Sequence, residues 1–147
     1  MYSNIETWFD SLITTVNSGI TGTENDFKKV DTLIDNDNLP NNLSNRSYYM
    51  FLTKVEEMDW ETKPIRVGVE VKFWFLIANA IGNYSTMLDT YLRALKQELK
   101  KFRQTEATTF NIVAIEEIVF DDLNKVIDKG TYVNPKLTFN LICYDKL

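Results

Sequence analysis

RVGVEVKFWFLIAN, residues 66–79, decides how this sequence folds. Val67, Val69, Val71, Phe73, Phe75 and Ile77 recur at every second position. That period predicts a β-strand over 65–77 with this apolar face turned to a core. The opposite face, Arg66, Gly68, Glu70, Lys72, Trp74 and Leu76, starts polar and ends apolar. A sheet with helices on one side ordinarily leaves its other face polar and wet. Trp74 and Leu76 on that face therefore call for a cover, supplied by another part of the fold or by a neighbouring subunit. The subunit reading is preferred, because aromatic and Met side chains are enriched in interface cores. The expected interface comprises Trp74, Leu76, Met50 and Leu52, flanked by Lys72 and Glu70.

Upstream, SYYMFLTKVEEM (47–58) is rich in aromatic and β-branched residues and reads as a strand. Tyr49, Phe51, Thr53 and Val55 share one face, and Tyr48, Met50, Leu52 and Lys54 the other. DWETKP (59–64) connects it to the 65–77 strand, which predicts antiparallel pairing. Two stretches carry the helical period instead. In 3–18, Ile5, Trp8, Phe9, Leu12, Ile13 and Val16 make one stripe, with Ser3 and Glu6 spaced as a capping box and Gly19 placed for a left-handed C-cap. In 86–103, Leu88, Tyr91, Leu92, Leu95, Leu99 and Phe102 make another, with Ser85 as N-cap and Lys96, Lys100, Lys101 and Arg103 loading the C-terminal half, where cations suit the helix dipole.

FKKVDTLI (27–34) suits a short strand or a helical turn, and the polar stretch around 35–47, punctuated by Pro40, a mobile surface loop. ANAIGNYS (78–85) reads as a turn, FNIVAIEEIVF (110–120) as a strand, and DDLNKVIDKGT (121–131) as a turn region. YVNPKLTFNLICYD (132–145) alternates Val133, Leu137, Phe139, Leu141 and Cys143 against Lys136, Thr138 and Asn140. Pro135 within it fits a strand end or sheet edge. The expected fold is a single α+β domain over 1–147, an antiparallel sheet of four to five strands with two amphipathic helices on one face.

Composition removes several function classes. With no histidine in the chain, the commonest general base, the commonest metal ligand and every Ser–His or Cys–His pair are absent. A single cysteine, Cys143, allows neither an internal disulfide nor a Cys-based zinc site. A net charge of −5 argues against sequence-independent binding of nucleic-acid phosphates. MYSNIETWFDSL at the start has no basic and apolar signal-peptide pattern, and 73–78 is too short to span a bilayer, so cytoplasmic synthesis without membrane attachment is expected.

No motif announces a reaction. Glu56, Glu57, Asp59 and Glu61 cluster, as do Glu116, Glu117, Asp121 and Asp122. Paired carboxylates can run acid–base chemistry, with Glu57 and Glu117 the residues to test, but solvation of strand ends and turns accounts for both groups. Asp35–Asn38 fails as a calcium loop, because Leu39 and Pro40 stand where a ligand and a glycine are required. There is no phosphate loop. The Lys96–Arg103 strip reads as a solvated helix end before a binding patch, and Cys143 as a buried, inert thiol. No catalytic residue, metal ligand or cofactor site is expected.

Taken together, the N-terminal helix, the VGVEVKFWFLIA strand, the helix YSTMLDTYLRALKQELKKF and the closing VNPKLTFNLICYD strand resemble the tail terminator, or tail completion, proteins of long-tailed bacteriophages and the related head–tail joining neck proteins. The likeness is one of element order over most of the chain, and the insertion at 35–47 has no counterpart in it. It implies a non-catalytic α+β subunit that closes on itself into a ring, typically a hexamer. The ring would sit at the head-proximal end of the tail tube, contacting the tube protein and the head connector, with DNA only as passing cargo. The expected location is the virion, after synthesis in the host cytoplasm. The competing expectations are a small non-catalytic adaptor that binds another protein through the Trp74 face, and a histidine-free enzyme using the acidic clusters.

Overall fold

The computed structural model describes residues 2–19, 26–32, 34–37, 39–40, 43, 46–59, 61, 63–76, 84–101, 110–123, 125–127 and 132–145. The elements run α1 (Tyr2–Ser18), β1 (Lys28–Lys29), β2 (Arg46–Glu57), β3 (Ile65–Leu76), α2 (Tyr84–Lys101), β4 (Phe110–Asp121), β5 (Val126–Ile127), β6 (Tyr132–Val133) and β7 (Lys136–Asp145). The fold is α+β, as expected. Ile77, the 78–83 turn, the side chains of Ser85 and Leu88, and Phe102 and Arg103 fall outside the described residues.

Four long strands, β2, β3, β7 and β4, lie side by side in that order and are antiparallel throughout. β3 is the centre of the sheet, which is why its inward face is almost continuously apolar. The two-residue β1 adds an edge that the sequence period could not define. It pairs parallel with β2, Lys28 against Ser47 and Lys29 against Tyr48, which makes the sheet mixed rather than purely antiparallel.

β6 and β7 are one strand in register. Phe75 faces Val133 and Lys72 faces Lys136, so the pairing with β3 continues unshifted across the gap at Asn134 and Pro135. Pro135 thus sits between the end of β6 and the start of β7, a strand end as expected, where its missing N–H removes a bond from the shared ladder. The chain supplies the bond another way. Phe73 N–H donates to the Pro135 carbonyl at 3.0 Å, and the Asn134 side-chain amide donates to the Phe73 carbonyl at 2.8 Å. A side-chain donor thus stands in for the amide that proline lacks.

Both helices lie on one face and close one core with the sheet. Ile5, Phe9, Leu12, Ile13 and Val16 of α1 and Tyr91, Leu92, Leu95 and Leu99 of α2 are buried against Val67, Val69, Val71, Phe73 and Phe75 of β3 and Leu137, Phe139, Leu141 and Cys143 of β7. Phe27 knits the layers, its ring centroid 5.4 Å from Phe73, 4.7 Å from Phe75 and 4.0 Å from Tyr91. Each fully buried side chain of this size stabilises the fold by about 2 kcal/mol.

The ends of α1 differ from expectation. The helix already includes Tyr2, so Ser3 lies within its first turn rather than at the cap. Gly19 donates its amide to the Val16 carbonyl at 3.1 Å, tightening the last turn. Its φ is not in the left-handed region, and an added Cβ would make only ordinary contact with the Val16 and Thr15 carbonyls. Gly68 is different. It lies opposite a bulge in β2 between Leu52 and Lys54, and a Cβ there would overlap the Thr53 hydroxyl. The Thr53 side chain, brought close by the bulge, leaves little room for a Cβ at this position.

Candidate interaction surface

Trp74 is fully buried, 0% exposed, within the single chain. It faces Ser47 across the β2–β3 ladder, and Ser47 is buried too. The indole N–H donates to Asn36 Oδ1 at 3.0 Å, Asn36 Nδ2 donates to Asn134 Oδ1 at 3.1 Å, and Asn134 donates onward to the Phe73 carbonyl. The segment before β2 lies over this end of the sheet. Between it and β1 runs a cleft of about 420 Å³ lined by residues including Lys28, Thr32, Ile34, Pro40, Leu43 and Ser47. The polar stretch 35–47 is therefore anchored at Asn36, and its last two residues belong to β2. Burial of Trp74 needs no second subunit, because it is complete within the single chain, where Asn36 accepts the indole bond.

The expected interface set divides between the two faces of the sheet. Tyr48 faces Phe73, Met50 faces Val71 and Leu52 faces Val69, so Met50 and Leu52 lie on the helix side. Met50 is in the core, its carbonyl accepting a 2.8 Å bond from the Tyr2 hydroxyl. Trp74, Leu76, Lys72 and Glu70 do share the outer face, and their β2 neighbours there are Tyr49 and Phe51. Those rings lie 6.1 Å apart, and Lys72 Nζ stands 6.0 Å from the Phe51 centroid. Leu76, Lys72 and Glu70 are half-buried.

At the other end of the outer face, Arg66 bridges strands, 3.3 Å from Glu56 on β2 and 3.7 Å from Glu116 on β4. The hydrogen bond from Arg66, helped by the charge of Lys54, holds the Glu56 carboxyl below its usual range. These pairs are exposed and screened, so they orient side chains more than they stabilise the fold. Glu57, Asp59, Glu61, Glu117, Asp121 and Asp122 are all exposed. The acidic clusters thus lie at strand ends and on the rim. Among the described residues no group of three or more acidic or Cys side chains could hold a metal ion. Cys143 is buried.

The helix side holds a second polar cluster. Tyr48 donates its hydroxyl to Asp10 Oδ1 at 2.8 Å, and Lys29 Nζ lies 3.0 Å from Asp10 and 3.2 Å from Glu6. Burial, then the bond to Asp10, pushes the Tyr48 hydroxyl far above its ordinary range. Burial and the adjacent Glu6 push Tyr2 up to about 12. The bond to Asp10 raises Lys29. The cluster fixes α1 and β1 to β2.

β4 was legible as a strand, but its character was not. Among the described residues it pairs only with β7, so it forms a twelve-residue edge. Two register shifts break its ladder, between Ile112 and Ala114 and between Glu116 and Val119. Within the second, Glu117 holds φ 55°, a left-handed value that costs a non-glycine residue energy. Its carboxylate accepts a 2.7 Å bond from Asn140. Val113 and Val119 stand 44% and 47% exposed. On the solvent side of α2, Arg93, Lys96, Lys100 and Lys101 are exposed.

No protein-family model matches the chain, and no curated protein matches it significantly in sequence.

Proposed function

We propose that the protein is a structural subunit of a phage tail–neck junction, forming a ring that ends tail-tube growth and joins the head connector. The observation that supports this reading most is the β4 edge. The domain buries its helices and Trp74 by itself, yet one long strand is left, among the described residues, with exposed valines and a neighbour, β7, on one side only. Its exposed valines offer apolar contact to a partner, while its bulges and charges guard it against strand addition. The element order quoted from the sequence supplies the identity of the assembly. In this reading the mechanism is geometric. One face of the ring matches the last tube subunits, and the other does not admit another tube ring.

The test is to add the purified protein to elongating tail tubes and measure tube lengths by electron microscopy. The reading expects elongation to stop, with a ring capping one end. Tubes that elongate unchanged, with no density at either end, would overturn it.

A further inference from the structure

Resting on the ring reading, we infer that neighbouring copies meet head to tail, the acidic β4 rim of one against the basic row on α2 of the next. Three observations carry this.

First, β4 resists strand addition. Its two bulges and the left-handed Glu117 interrupt the row of backbone donors and acceptors that an added strand would need. A contact at this edge is therefore made by side chains. Second, the rim is mainly acidic, although Arg66 bridges Glu116 and Lys136 stands opposite Asp121. Glu116, Glu117, Asp121 and Asp122 are all exposed around Val119. A two-fold pairing of β4 with β4 would set these carboxylates against their own copies, which costs affinity. A basic occupant complements the carboxylates that remain. Third, the chain carries the complement itself. Tyr91, Leu92, Leu95 and Leu99 turn inward, which leaves Arg93, Lys96 and Lys100 along the outward side of α2 at helical spacing. Arg93 is bridged to Asp89 at 2.9 Å, so Lys96 and Lys100 carry the row's charge toward a partner.

The two surfaces lie on opposite sides of the two-layer domain. Glu116 and Glu117 bond to Arg66 and Asn140 on the outer sheet face, and the α2 row points away from the sheet. One copy cannot satisfy both from within. A contact between two different patches is heterologous, and it closes into a ring when its rotation closes.

Charge reversal tests the pairing. Glu117→Lys with Asp121→Lys makes one variant, Lys96→Glu with Lys100→Glu the other, and a third combines all four. Circular dichroism first verifies that each is folded. Sedimentation velocity on the wild type, each variant, a 1:1 mixture and the combined variant then reads assembly. The expected pattern is assembly by the wild type and about a hundredfold or more weakening for each variant alone, since like charges now face each other. The 1:1 mixture and the combined variant assemble again. If the wild type forms rings and both variants form them equally well, the rim–helix contact is overturned while the ring reading stands. If single variants fail but neither the mixture nor the combined variant recovers, the pairing is likewise overturned. A wild type that never assembles overturns both.

Discussion

Asn134 Nδ2 stands 2.8 Å from the Phe73 carbonyl oxygen, where the backbone amide of residue 135 would stand if that residue were not proline. The same side chain accepts a bond from Asn36, which in turn accepts one from Trp74. One buried amide thus repairs the central ladder and fastens the covering segment over the sheet.

Replacing Asn134 by Ala leaves the Phe73 carbonyl and the Asn36 amide unsatisfied in a buried site. The expected loss is about 2–3 kcal/mol, read from urea unfolding. Adding Pro135→Ala restores a backbone donor at that position. The double variant should recover part of the loss, whereas Pro135→Ala alone should change little.

Trp74→Phe keeps most of the buried ring area and removes the indole donor. It and Asn36→Ala should each cost about 1–2 kcal/mol. Because both remove the same bond, the double variant should cost markedly less than their sum. Strict additivity in a double-mutant cycle would show that the bond contributes nothing.

Gly68→Ala places a methyl against Thr53 where β2 bulges. A loss of about 1–2 kcal/mol is expected, and Thr53→Ala in the same chain should relieve it. Gly19→Ala, by contrast, should be neutral or slightly stabilising, because its conformation is open to any residue.

Stability should fall steeply in alkali. Tyr48 and Tyr91 are buried, and burial holds both hydroxyls protonated well above pH 10 in the folded chain. The unfolded tyrosines release their protons near 10, so above that pH the folded state binds more protons than the unfolded one. The stabilisation is complete below pH 10 and is lost as pH rises. Each of the two tyrosines adds a slope approaching about 1.4 kcal/mol per pH unit. Tyr2, raised to about 12, and Lys29, held up by Asp10, act in the same direction. Tyr91→Phe should remove one tyrosine's share without weakening the fold at neutral pH, since its hydroxyl has no hydrogen-bond partner among the described residues. Tyr48→Phe should remove another share but cost about 1–2 kcal/mol at neutral pH through its lost bond to Asp10.

The parts of this fold with a strong, one-sided period were readable from the residues. α1, α2, β3 and the 132–145 strand each present one apolar stripe, and the core uses those stripes. β2 was ambiguous because both of its faces are apolar, Tyr48, Met50 and Leu52 on one and Tyr49 and Phe51 on the other. Only the register against β3 assigns Met50 and Leu52 to the helices. Trp74 was legible as a residue needing cover. Its cover comes from Asn36, a polar residue in a turn-rich segment, and no local pattern links two positions 38 apart. Pro135 signalled an irregularity, but the donor that compensates it is a neighbouring side chain, which periodicity does not show. The bulges of β4 were hidden for a similar reason, since the extra residues Val113 and Glu117 show only in the pairing with β7 and not in the local pattern. The candidate surface therefore moved from the centre of the sheet to its edge.

Ring formation is read by light scattering on a sizing column over a range of concentrations, with negative-stain images of the largest species. The expected species is a closed ring, as a heterologous contact with a closing rotation would give, of about six subunits as the likeness to tail terminators implies. A monomer at every concentration would contradict it.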